Sequence, residues 1–138
     1  MNRKKLMLVI SVLIIILVIV IIITNPRDIV NKGSDTIRII QAEFNTEYGL
    51  ENVECVDISD RGDEIIDIMS RYKERPSFVV AKGYNLSDVE FRITLDCGDG
   101  VKEIILGVEN YSNMGRGKLK YTIINAEDLA GELRKLAN

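Results

Sequence analysis

The sequence has no histidine and only two cysteines in 138 residues. Without histidine there is no Ser–His or Cys–His nucleophilic pair, no usual general base near neutral pH, and no His-containing zinc site. Two cysteines cannot complete a four-thiolate site within one chain. No internal repeat or low-complexity segment is visible. These absences point away from an enzyme and from a metal or cofactor, so we expect a non-enzymatic protein with no catalytic residue of its own.

What the sequence does have is one long apolar run. Residues 6–23, from Leu6 to Ile23, are all Leu, Ile, Val or Met except Ser11. At about 1.5 Å per residue such a helix is long enough for a ~30 Å hydrocarbon core. A core helix in a protein this small would not be apolar on every side. The residues after Ile23 read Thr24-Asn25-Pro26-Arg27-Asp28, without the small-residue cleavage site of a signal peptide. No cysteine precedes Cys55, so a lipid-modified cysteine just after the run is excluded. The run contains no Gly or Ala for a close helix pair and no ionisable group for a relay, so it reads as a passive, uncleaved anchor.

Arg3, Lys4 and Lys5 precede the run, whereas Arg27 and Lys32 beyond it are mixed with Asp28 and Asp35. The positive-inside rule then keeps the amino terminus in the cytoplasm and the rest outside. The expected organisation is a basic tail over residues 1–5, a transmembrane helix over 6–24, a linker over 25–33 and an extracytoplasmic domain over 34–138. The protein is expected to be a single-pass cell-membrane protein, with the bilayer as its first partner.

All 21 acidic residues, but only 15 of the 18 basic ones, follow residue 24, so the outer part carries about −6. That balance does not suit nucleic acid or an anionic lipid surface. Isoleucine outnumbers leucine 21 to 12, a lean toward an AT-rich bacterial genome. Outside the membrane a bridge between Cys55 and Cys97 is permitted. Closing a loop of about 43 residues, it would contribute ~4 kcal/mol in the chain-entropy model. Two buried free thiols fit the strand-like patterns around them equally well.

Along the domain, Pro26 and Gly33 break the linker, Ser34 offers an N-cap with Asp35 behind it, and Ile37, Ile40, Phe44 and Tyr48 share one helical face. Gly49 is placed to end that helix. Residues 53–58 form a short strand, and Ser59-Asp60-Arg61-Gly62 is turn chemistry. Ile65, Ile68, Met69 and Tyr72 predict a second helix, with Arg71, Lys73 and Arg75 near its end and Pro76 as its stop.

The period then changes to two. Residues 78–81 form a strand, and Gly83-Tyr84-Asn85 turns. Val89, Phe91, Ile93, Leu95 and Cys97 alternate with polar residues as the clearest strand. Gly98-Asp99-Gly100 makes a hairpin, and Ile104, Leu106 and Val108 face inward on the return. Residues 110–117 form a polar loop. Leu119, Tyr121 and Ile123 make the last strand, and Asn125 caps a helix with an apolar stripe at Leu129, Leu133 and Leu136. The fold class is therefore α+β: an antiparallel meander of four to five strands in a two-layer domain, with helices on one face and solvent on the other.

Several short patterns carry little chemistry. Arg61-Gly62-Asp63 is three common surface residues in a turn. Ser70-Arg71-Tyr72-Lys73 matches S-x-x-K without its partner motifs, and Gly115-Arg116-Gly117-Lys118 lacks phosphate-loop spacing. The acids Asp57, Asp60, Asp63, Glu64 and Asp67 fail the calcium-loop template at Arg61 and Ile68 and fit a helix start instead. Asn85-Leu86-Ser87 and Asn110-Tyr111-Ser112 fit a glycosylation sequon that needs a eukaryotic route.

The arrangement resembles the small anchored extracytoplasmic domains common in Gram-positive bacteria, with no residue motif that names a family. The expected function is a membrane-anchored binding or accessory domain whose partner is another membrane or cell-envelope protein. Its expected interaction surface is Arg92, Thr94, Lys118, Lys120 and Thr122 on the open sheet face, or the loop 110–117. The alternatives are a carboxylate-dependent cell-wall hydrolase, and an immunity or sensor protein with a partner in the same membrane.

Overall fold

The computed structural model describes residues 2–31, 33, 36–115 and 117–138. Ser34 and Asp35, read above as a helix start, lie outside these residues, as do Lys32 and Arg116. Helix α1 (Arg3–Thr24) is long and apolar enough to cross a membrane, a property it shares with signal sequences. None of its residues is buried. Its two hydroxyls bond back within the helix, Ser11 to the Met7 carbonyl at 2.9 Å and Thr24 to the Val20 carbonyl at 2.7 Å. No side-chain hydroxyl is left facing outward without a partner, as an apolar solvent requires.

The rest is one eight-stranded antiparallel sheet with two helices against it. The strands are β1 (Arg27–Asp28), β2 (Arg38–Asn45), β3 (Cys55–Asp57), β4 (Lys73–Val80), β5 (Val89–Asp96), β6 (Val101–Gly107), β7 (Tyr111–Asn113) and β8 (Leu119–Ile123). The helices are α2 (Gly62–Met69) and α3 (Ala126–Ala137). The spatial order is β1-β4-β8-β7-β6-β5-β2-β3. Only β5 to β8 form a meander, and the count exceeds the expected four to five.

Phe91, Ile93 and Leu95 of β5 and Ile104 and Leu106 of β6 meet Ile65 and Met69 of α2 and Leu129 and Leu133 of α3 in the main core. Phe44 stacks on Phe91 with ring centroids 4.9 Å apart. The helices do lie on one face, as the one-sided strand alternation implies.

The expected linker over residues 25–33 is not a free spacer. Arg27 and Asp28 pair with Glu74 and Lys73 of β4, and Ile29 and Val30 are buried in the core. The apolar residues Ile29 and Val30 gain more from burial than a solvated tether would allow.

The first domain helix expected through Ile37, Ile40, Phe44 and Tyr48 is instead strand β2. The register slips between Ile39 and Gln41, so Ile39 packs on the core before the bulge and Ala42 and Phe44 after it. Ile40, placed on the expected helical face, is 51% exposed, and the bulge beside it brings Ile37 and Phe44, seven residues apart, to the same side, a spacing that a helix also gives. Gly49 has the expected positive φ, +84°, but in a loop between β2 and β3.

Helix α2 buries Ile65, Ile68 and Met69 as expected, yet it stops at Met69, well before Pro76. Arg71 lies in the turn after it, and Lys73, Arg75 and Pro76 belong to β4. Pro76 is tolerated there because β1 pairs only with Lys73 and Glu74, leaving the following stretch of β4 an edge on that side.

Val108, expected to face inward, is 68% exposed, because β6 ends at Gly107. The Val108 amide donates to the Asp88 carbonyl, and a Cβ on Gly107 would stand 2.1 Å from that oxygen. Residues 111–113 of the expected loop 110–117 form β7, all buried. Asn125 precedes α3 in the left-handed conformation and makes no side-chain cap.

Cys55 and Cys97 are free thiols at opposite ends of β2, Cys55 opposite Asn45 and Cys97 just past the partner of Arg38. Seven residues of strand between them span roughly 23 Å, too far for an intramolecular bridge. Burial pushes both thiols up in pKa, which keeps them protonated and weakly nucleophilic.

Candidate functional site

Alternation along the strands gives the helix-free face its residues. Arg92 and Thr94 come from β5, Glu103 and Ile105 from β6, Tyr111 and Asn113 from β7, and Lys120 and Thr122 from β8. The register slip between Val89 and Phe91 moves Val89 to this face, where it packs with Ile105, Tyr111 and Tyr84 in a second small core.

The face is not fully open to solvent. Residues 81–88 cross it as a strap pinned at both ends. The Ala81 amide donates to the Lys118 carbonyl at 2.8 Å, and the Asn45 side chain donates to the Val89 carbonyl at 3.1 Å. Tyr84 projects from the strap onto the sheet. Its hydroxyl donates toward Glu103 at 3.5 Å and accepts from Arg92 at 3.4 Å.

Tyr84 divides the face into two cavities. One, of about 360 Å³, is lined by Thr94, Glu103, Asn113 and Met114. The other, of about 440 Å³, is lined by Lys82, Val108, Glu109, Tyr111 and Lys120. Two of the cations around them are paired. Arg92 donates to Glu43, with its Nε at 2.8 Å, and Lys120 donates to Glu109 at 2.6 Å while lying 4.2 Å from the centre of the Tyr111 ring. Burial raises the Tyr84 phenol, against the opposing effect of Arg92, and raises the Tyr111 phenol to about 12. Both phenols are therefore neutral at physiological pH and offer hydrogen bonds without charge.

Four of the five expected surface residues, Arg92, Thr94, Lys120 and Thr122, share one face by strand alternation, and Lys118 lies just before β8. Thr94 and Lys120 line the two cavities. Arg92 is engaged with Glu43 and Tyr84. Thr122 is exposed, and Lys118 is exposed beyond the cavities, near β4. Sequence reasoning did not place Tyr84 or Glu103 here, whereas Tyr111 and Asn113 belong to the loop 110–117 expected as the alternative surface. For Tyr84 the available signal was a tyrosine standing alone in a polar turn.

A second charged cluster lies on the helix side. Glu74, fully buried, accepts from Arg27 at 3.0 Å, from Lys102 at 2.7 Å, and from the Ser112 hydroxyl. Lys102 also donates to the Ile29 carbonyl at 2.8 Å. Burial lowers the Lys102 pKa against the opposing pull of Glu74. Serine, lysine and carboxylate are adjacent, but no substrate reaches them, and their role is to clamp residues 27–29 onto β4 and β6.

The acids of the 57–67 stretch are spread over local contacts. Asp57 accepts from the Ser59 amide at 2.9 Å, and Glu64 pairs with Arg61 at 2.6 Å. Among the described residues no three acidic or thiol groups converge as a metal site would need. Ser70 and Lys73 are parted, the Ser70 hydroxyl donating to the Asp67 carbonyl and Lys73 to Asp28.

No protein-family model, curated protein or solved structure matches this chain.

Proposed function

We propose that this protein is a single-pass, membrane-anchored binding domain, held on the outer face of a bacterial membrane with its amino terminus in the cytoplasm. Its cleft would take an extended, largely uncharged segment of another envelope protein, laid across Tyr84. The observation that carries this reading is α1, a 22-residue helix with no buried residue. In water it would expose a large continuous apolar surface, which lipid covers at no such cost. The cleft supports the binding half. Its cations Arg92 and Lys120 are already paired, and Thr94 and the Tyr111 hydroxyl suit neutral hydrogen-bonding partners.

A photo-crosslinking residue placed at Thr94 or Lys120 in native membranes, followed by mass spectrometry, tests the cleft. Recovery of one envelope protein from both positions, and not from Val56 on the far edge strand, is the expected result. Recovery of uncrosslinked monomer alone from both would sink it. The anchoring half fails separately if the mature protein begins after residue 24 or is released from membranes by alkaline carbonate.

A further inference from the structure

We propose that the corner formed by β4 and β8 is a second membrane contact, seating the domain directly on the outer leaflet. This rests on the anchoring proposed for α1 and adds a site to it. Three observations meet at this corner. Phe78, Val79, Val80 and Leu119 are all exposed, Phe78 at 60%, and Val80 lies opposite Leu119 in the sheet register. Val79 and Val80 border the second cavity of the cleft, whereas Phe78 and Leu119 border α1, and two large exposed apolar side chains beside that helix are a liability unless something apolar covers them.

What covers them follows from continuity with α1. Phe78, Leu119 and Tyr121 line the same groove as Ile22 and Ile23, the last apolar residues of the helix. Any bilayer that receives Ile22 and Ile23 therefore meets Phe78 at its interfacial depth. Arg27 lies 3.7 Å above the Tyr121 ring in this region, the kind of aromatic and basic pair favoured at headgroup level.

The backbone is bent to present this side chain. The register of β4 slips between Pro76 and Val80, and Phe78 sits there at φ +59°. A bulky residue in the left-handed region is strained, and strain of this kind persists only where the surrounding structure imposes it. Lys82 and Lys118 are both exposed at the end of the corner just beyond Val80 and Leu119, where the Ala81 amide donates to the Lys118 carbonyl. Two lysines thus stand beside the apolar group although the outer part as a whole is negative, and apolar side chains next to lysines match a surface containing anionic phospholipid.

The chain has no tryptophan, so a single one reports its own position. The full chain is reconstituted in phosphatidylcholine–phosphatidylglycerol vesicles as Phe78→Trp, Leu13→Trp or Val56→Trp, with Leu119→Trp as a second corner probe should Phe78→Trp fail to fold. The corner tryptophan is expected to emit to the blue and to lose most of its fluorescence to lipids brominated near the headgroup. Leu13→Trp should be quenched by lipids brominated deep in the chain. Val56→Trp should respond only to aqueous iodide. Replacing Lys82 and Lys118 by glutamate should weaken the corner quenching.

If Leu13→Trp is quenched while both corner probes behave like Val56→Trp, the second contact is wrong and the anchor stands. If the corner is quenched and Leu13→Trp is not, the anchor is wrong and the lipid contact stands. Equal quenching at Val56 and Phe78 overturns the assignment to this corner.

Discussion

Glu74 and Glu43 each accept from an arginine, on opposite faces of one sheet, and they illustrate two uses of the same ion pair. The Glu74 side chain is 0% exposed and is also bound by Lys102 and Ser112. Glu43 is partly open to water, and its arginine also reaches Tyr84 beside the cleft. A buried charge must have its partners or the fold loses several kcal/mol, whereas a half-exposed one can be re-solvated. The helix side of the sheet is thus fixed by its polar groups, and the cleft side is merely lined by them.

The comparison breaks most visibly at Glu74. Glu74→Ala leaves Lys102 and Arg27 facing each other without a carboxylate, and a loss of about 3–5 kcal/mol is expected in urea unfolding. A loss under about 1 kcal/mol would mean that water enters the cluster and that the two faces are alike. Ser112→Ala removes one donor to Glu74 and should cost about 1–3 kcal/mol by the same measurement.

The alkaline limb of stability separates the faces by titration. Burial first, and then the Glu132 carboxylate that accepts from its hydroxyl, raises Tyr72 on the helix side to about 12. Burial likewise raises Tyr111 on the cleft side to about 12. A raised acid stabilises the fold below its ordinary value of 10.0 and loses that contribution as the pH climbs toward 12. Melting temperature should therefore fall between these limits, and Tyr72→Phe or Tyr111→Phe should each flatten the fall. A slope unchanged in both variants would refute the shifts.

The smallest effect is expected at Glu43→Ala, about 1 kcal/mol or less, with thermal melting nearly unchanged. Its mark should instead be on the cleft. With Glu43 gone, Arg92 has Tyr84 as its remaining side-chain contact, and crosslinking from Thr94 should change in yield. A destabilisation matching that of Glu74→Ala would erase the distinction drawn here.

What could be read in advance follows the same division. The β5–β6 hairpin was legible because Phe91, Ile93, Leu95, Ile104 and Leu106 alternate cleanly around Gly98 and Gly100. Helix α3 was legible from Leu129 and Leu133. The common face of Arg92, Thr94, Lys120 and Thr122 followed from the same period of two. Strand β2 was misread because its bulge brings Ile37 and Phe44, seven residues apart, to the same side, a helical spacing. Strand β7 was hidden because Ser112 and Asn113 are polar. Burial of Ser112 depends on Glu74, thirty-eight residues earlier. No local pattern reports a partner so distant, and the cleft escaped for the same reason, since Tyr84 acquires its role only when the strap is laid across the sheet.

The two-residue strand β1 has one consequence for the order of assembly. It touches the sheet through β4, and β4 joins the other strands through β8, whose last residue is Ile123. The Ile29 carbonyl likewise waits for Lys102, 73 residues on. Loop closure over such separations is slow and unfavourable until both ends exist. During synthesis from the amino terminus, the segment adjoining α1 is therefore the first part of the domain made and among the last to be placed. Until β8 emerges, the growing chain hangs from α1 by a slack segment, and completing the sheet converts that segment into a rigid joint.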